Sequence, residues 1–138
     1  MVFYLDSSVL LRVLFKEATA LKEFTRIEEA ISSELLRVEC LRTIDRIRIE
    51  QKLSEDEYVV RASLLHTFLS KVEFIPLAKE ILNRASQPFP TILGSLDAIH
   101  LSSLVLYRER VASEVTLCTH DSSLGRAASA LNVPVLGL

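Results

Sequence analysis

The chain is short of glycine and proline, nearly free of cysteine and without tryptophan, and each shortage excludes something. Its three glycines, Gly94, Gly125 and Gly137, are scattered. A phosphate-cradling loop or a dinucleotide-binding turn needs several glycines within one short stretch, so neither is possible. No serine stands in a Gly-x-Ser-x-Gly elbow, which removes the common hydrolase arrangement. Cys40 and Cys118 each lie inside an apolar stretch. Two such distant cysteines make neither a disulfide framework nor a zinc-ligand spacing, and both read as small buried hydrophobes. Apolar runs such as Val9-Leu10-Leu11 and Leu104-Val105-Leu106 end within a turn or two at a charge. They fall far short of the roughly 18–20 residues that span a bilayer. Met1 leads directly into Val2-Phe3-Tyr4-Leu5 without a basic lead or a small-residue cleavage site, so no secretory leader is expected. The expectation is a reduced, cytoplasmic protein without a membrane partner.

Strong charge of either sign is missing as well. Sixteen Lys and Arg against 18 Asp and Glu leave a net charge of −2. A whole-surface basic field for nucleic acid is therefore absent, and any phosphate chemistry must be local.

What is present is an apolar, patterned chain. Apolar residues make up 49% of the 138, enough for a substantial core, and no repeat or linker divides the chain, which is read as one domain over 1–138. Val2-Phe3-Tyr4-Leu5 reads as a buried central strand. Ala30-Ile31-Ser32, Val72-Glu73-Phe74-Ile75 and Val115-Thr116-Leu117-Cys118 read as further strands, with Val133-Pro134-Val135-Leu136 as a short edge strand that tolerates its proline. Helices are predicted over 9–15, 18–29, 34–51, 54–70, 77–85, 96–111 and 122–131. Ser33 is expected to cap the third, and Ser54 with Glu57 forms a capping box for the fourth. Gln87-Pro88-Phe89-Pro90-Thr91 is the clearest irregular loop. Strands alternating with helices define an α/β fold: a mostly parallel central sheet of four or five strands flanked by helices.

In such a sheet the C-terminal strand ends open on one edge, where ligands bind. Asp6 directly follows the first strand and Asp121 follows the fourth by two residues. Glu39 lies in the second turn of the helix after strand two, and Asp97 in the first turn after the proline-rich loop. Converging carboxylates repel one another unless a cation joins them, and Mg²⁺ or Mn²⁺ suits oxygen ligands. One ion can activate water at phosphorus, and a second can stabilise the leaving oxygen. Each acid has a plainer reading beside this one. Asp6 and Asp121 could cap helices, Glu39 could pair with Arg42 or Thr43, and Asp97 could simply complement a helix dipole. His100, one turn after Asp97, is expected in the core or behind the site. His120 stands beside Asp121, and His66 lies on a polar face. Arg42 and Arg46 share a helix face and form a candidate phosphate-binding stripe, or else a solvated face paired with Asp45 and Glu50.

These segments resemble the PIN-domain family, and within it the VapC-type toxins of toxin–antitoxin pairs. Tyr4-Leu5-Asp6-Ser7-Ser8 is similar to the opening strand and first acid, and the segment Ser32 to Leu41 to the second, with Glu39 rather than Glu34 in the acid position. Leu96-Asp97-Ala98-Ile99-His100-Leu101 is the most specific match, and Thr119 to Ala128 resembles the last motif, with Asp121 as its acid. The resemblance spans nearly the whole chain. It implies an Mg²⁺- or Mn²⁺-dependent endoribonuclease acting on RNA, a homodimer, and inhibition by an antitoxin protein. Asp6 and Asp97 would be the direct metal ligands, with Glu39 and Asp121 orienting water and the cluster. Ser7 and Thr119 would supply supporting hydroxyls. Ser7 stands where many relatives have threonine.

Two other classes compete. A non-catalytic PIN-fold module binding RNA or protein predicts loss of an acid, and none is missing. A phosphotransferase with an aspartyl nucleophile commonly carries a second Asp two residues on, and Ser8 stands there. Within the nuclease class, an RNA-processing enzyme without an antitoxin is a variant of the same chemistry.

Overall fold

The computed structural model describes all 138 residues. Five strands form one parallel sheet: β1 (Val2–Leu5), β2 (Glu29–Ser33), β3 (Val72–Ile75), β4 (Val115–Cys118) and β5 (Val135–Leu136), in the order β3-β2-β1-β4-β5. Helices α1 (Ser7–Leu14), α2 (Leu35–Glu50), α3 (Glu55–Leu69), α4 (Lys79–Ala85), α5 (Ser95–Val111) and α6 (Ser122–Ala130) make the crossovers. The α/β reading from sequence is the observed architecture.

Both faces of the sheet are covered, and the period of two along each strand decides which side chain goes where. Leu5 and Cys118 point to one face, where they meet Val9, Leu10 and Leu14 of α1, Leu36, Cys40 and Ile44 of α2, and Leu65 and Leu69 of α3. Tyr4, Ile31 and Leu117 point to the other, against Leu101, Leu104 and Val105 of α5 and Leu124, Ala127 and Ala128 of α6. Both cysteines are free and buried, and burial pushes each thiol up to about 12, so neither is a nucleophile.

Three expectations are corrected. No helix spans 18–29: only a 3-10 turn, Lys22–Arg26, forms there, and Glu29 is already strand, in parallel register with Val2. Pairing with the central strand takes Glu29 out of the expected helix. Ser33 is the last residue of β2, not the cap position, although its Oγ still accepts from the Leu35 amide at 3.2 Å. The edge strand is shorter than expected because Pro134 stays outside it, lending only its carbonyl to the Leu117 amide. The Ser54 cap is as expected, its Oγ accepting from the Glu57 amide at 3.1 Å.

The strand order reverses direction at β1. The chain moves outward from β1 to β2 and β3, then returns to the other side of β1 as β4. A parallel sheet opens a crevice at such a switch point, beyond the carboxyl ends of the two strands. Here those ends are Leu5 and Cys118, registered directly opposite one another.

Candidate active site

Asp6 and Thr119 are the first residues beyond those two strand ends, and both are buried. Asp6 occupies the boundary position of α1 but makes no capping bond with its side chain. Its Oδ2 instead accepts from Ser8 Oγ at 2.6 Å and from Thr119 Oγ1 at 2.8 Å. A carboxylate held on two hydroxyls is fixed in place yet keeps its other oxygen uncommitted. The same hydroxyls extend the clasp: Thr119 Oγ1 accepts from the Asp121 amide at 3.0 Å, and Ser8 Oγ from the His120 amide at 2.9 Å. The ends of β1 and β4 are thereby locked together. Ser7 makes none of these bonds; the supporting hydroxyl beside Asp6 belongs to Ser8.

Asp121 caps α6, its Oδ1 accepting from the Leu124 amide at 3.0 Å. The plainer sequence reading is thus true of one oxygen, and the residue is exposed at the rim besides. Glu39 follows a different route. It pairs with neither Arg42 nor Thr43 but, through Oε1, with His100 Nε2 at 2.5 Å. His100 is fully buried, and its Nδ1 lies 2.7 Å from the Tyr4 hydroxyl, which also accepts from the Ser33 amide at 3.1 Å. A line of contacts through β2, β1, α5 and α2 therefore holds Glu39 at the crevice. Burial alone would lower the His100 pKa, but the hydrogen bond and charge of Glu39, with Asp6 and Asp97 nearby, leave it raised.

Asp97, in the first turn of α5, registers the convergence of the acids. Burial first, and then the charges of Asp121, Asp6 and Glu39, raise its carboxyl from 3.8 to about 6, with His100 pulling the other way. The four predicted acids thus share one electrostatic neighbourhood, although up to 115 positions separate them in sequence (Asp6 to Asp121). As they stand, no three His, Cys, Asp or Glu side chains are close enough together to hold an ion. The donor set is nonetheless that of a hard divalent cation: carboxylate and hydroxyl oxygens with no sulfur.

Glu34, the acid set aside in favour of Glu39, is exposed and faces the Leu77 amide. Arg42 and Arg46 lie exposed on α2, paired with Asp45 at 3.5 Å and Glu50 at 4.0 Å. His66 is exposed in the last turn of α3, away from these groups. The sequence reading missed Ser8 and Tyr4. Their only signals were a second serine after Asp6 and a tyrosine in a strand whose hydroxyl, once buried, needs a partner.

Fold and site together define an α/β protein with an acidic cluster above the switch point of its sheet. The sequence model of the PIN domain matches residues 3–129, and the chain belongs to the PIN domain family. Ribonuclease VapC46 of Mycobacterium tuberculosis is 30% identical to it over 96% of this chain and 95% of its own length. Ribonuclease VapC47 of the same species is 28% identical over 82% of each. Among solved structures, VapBC2 from Rickettsia felis bound to a DNA fragment from its promoter superposes with a TM-score of 0.68, covering 98% of this chain and 97% of that one at 16% identity. That likeness is one of fold. No helix is long and apolar enough to cross a membrane.

Proposed function

We propose that the protein is an Mg²⁺- or Mn²⁺-dependent endoribonuclease and the toxin of a toxin–antitoxin pair. The observation that best supports this reading is that Asp97, raised to about 6 by burial first and then by the charges of Asp121, Asp6 and Glu39, shares one neighbourhood with those three acids beyond the ends of β1 and β4. The two ribonuclease relatives aligned over most of the chain support it.

Asp6 and Asp97 would hold the ion, with Glu39 and Asp121 beside them. When bound, such an ion supplies a water of lowered pKa and neutralises charge on the phosphate. The chain's own contribution is placement. Ser8 and Thr119 fix Asp6, and the Tyr4–His100 pair fixes Glu39, so the carboxylates need not reorganise as charge develops. In the overall reaction a water oxygen bonds to phosphorus, the phosphodiester P–O bond to one ribose breaks, and that oxygen takes a proton. A protein of net charge −2 can cut a polyanion because the cation meets the phosphate.

An antitoxin protein and a second copy of the chain are the proposed partners. Incubation of total RNA with the purified protein, Mg²⁺ or Mn²⁺, and chelator in parallel tests the reading beside Asp6→Asn and Asp97→Asn. Cleavage that needs the metal and disappears in both variants is expected. Undiminished cleavage by both would overturn it.

A further inference from the structure

The loop between α4 and α5 is pinned at both ends and open in the middle. Phe89 and Leu93 pack against the core, and the Arg84 guanidinium sits 4.3 Å over the Phe89 ring while donating to the Pro88 carbonyl. Between these anchors Ile92 is 95% exposed, more than any other large apolar residue of the chain. Thr91, beside it, has a buried hydroxyl with no hydrogen-bond partner. Together with Ser123 and Arg126 of α6, Thr91 and Ile92 line a cavity of about 390 Å³. That volume lies within the roughly 300–1,000 Å³ of small-ligand pockets.

The lining of the cavity adjoins two of the acids in sequence. Ser123 follows Asp121 by two residues, and the Thr91–Ile92 segment leads into the helix turn that carries Asp97. Arg126 is also uncommitted. Nine of the chain's eleven arginines are spent on an ion pair, a carbonyl or an aromatic ring; Arg126 and Arg26 have none of these. A free guanidinium and one bare apolar side chain, close in sequence to two of the acids, match two parts of a nucleotide: phosphate and base face.

We propose that this cavity is the subsite for the RNA nucleotide adjoining the scissile bond. Arg126 takes its phosphate, and Ile92 covers one face of its base. The proposal rests on the ribonuclease reading and deepens it, placing the principal phosphate contact on Arg126 rather than on Arg42 and Arg46, which are already paired.

The test combines binding with turnover. Binding is followed by fluorescence anisotropy with a labelled short single-stranded RNA of randomised sequence, on Asp97→Asn protein with and without Arg126→Ala. Turnover is followed in the wild-type background with Mn²⁺. Arg126→Ala is expected to raise Kd and KM roughly tenfold with kcat within about twofold, and to lower the salt slope of log Kd by about one. Arg126 is exposed on its helix, so unchanged melting of Arg126→Ala is the expected fold control. Unchanged Kd and salt slope in Arg126→Ala would overturn the subsite. If the wild type cleaves RNA while Arg126→Ala matches it in KM, the subsite fails and the ribonuclease reading stands. If the wild type cleaves nothing with any divalent metal, the ribonuclease reading fails, and the anisotropy arms still decide whether the cavity holds RNA.

Discussion

Removing the charge of Asp97 should make the metal-free protein more stable while abolishing its activity. In the fold the Asp97 carboxyl is raised from 3.8 to about 6, so above pH 6 it is ionised at a cost the unfolded chain does not bear. The folded state binds more protons than the unfolded state between those values. Stability therefore falls as pH rises from about 4 to about 6, and the loss is complete above that. A shift of about two units corresponds to at most ~3 kcal/mol. Asp97 is partly exposed, and solvent screening reduces this to about 1.5 kcal/mol. An asparagine in its place would forgo the attraction of a first-turn carboxylate to the helix dipole, about 0.5 kcal/mol. The net gain for Asp97→Asn is about 1 kcal/mol, or roughly 4 °C in Tm for a chain of this size. Urea and thermal denaturation in chelator at pH 4 and pH 8 measure it. The variant should lead at pH 8 and draw level with the wild type near pH 4. Adding Mg²⁺ should stabilise the wild type more than the variant. An Asp97→Asn protein no more stable than the wild type at pH 8 without metal would refute the crowding of charge on which the site rests.

Further outcomes follow from the same contacts. Apparent affinity for Mg²⁺ should fall about tenfold per pH unit below pH 6, where Asp97 must shed a proton to bind; isothermal titration in two buffers of different ionisation enthalpy would detect that proton. Tyr4→Phe leaves the Ser33 amide and His100 Nδ1 without their buried partner and should cost about 1–3 kcal/mol by urea denaturation, with kcat falling because Glu39 loses its support. Gly137→Ala should destabilise by about 1–2 kcal/mol, since φ is +102° there and an added Cβ would lie 2.6 Å from the Thr119 carbonyl oxygen. Gly125→Ala should cost far less on melting, because its Cβ would meet only the movable Leu138 side chain.

Much of the architecture was legible because local pattern and tertiary role agree. Val2–Leu5 and Val115–Cys118 are short, apolar and β-rich, and they are the two strands bearing the crevice. Ser54 and Glu57 mark a helix start whose bond is local and needs no tertiary contact. The segment 18–29 was misread at its end, where Glu29 pairs with Val2, a residue that no local window contains.

The sequence by itself determined that strands alternate with helices, that three of the four acids follow strand ends or open a helix while Glu39 lies a turn inside one, and that the cysteines are small buried hydrophobes. These rest on periodicity and on residue types, which act within a few positions. Only the tertiary structure decided that β4 lies beside β1, which brings Asp6, Thr119 and Asp121 to one crevice. It alone joined Glu39 to His100 across 61 positions and gave Asp97 a raised pKa. It alone set Thr91 and Ile92 against Arg126. Strand order and helix packing are settled by the burial of both faces of the sheet at once, a property of the whole chain that no segment of it carries.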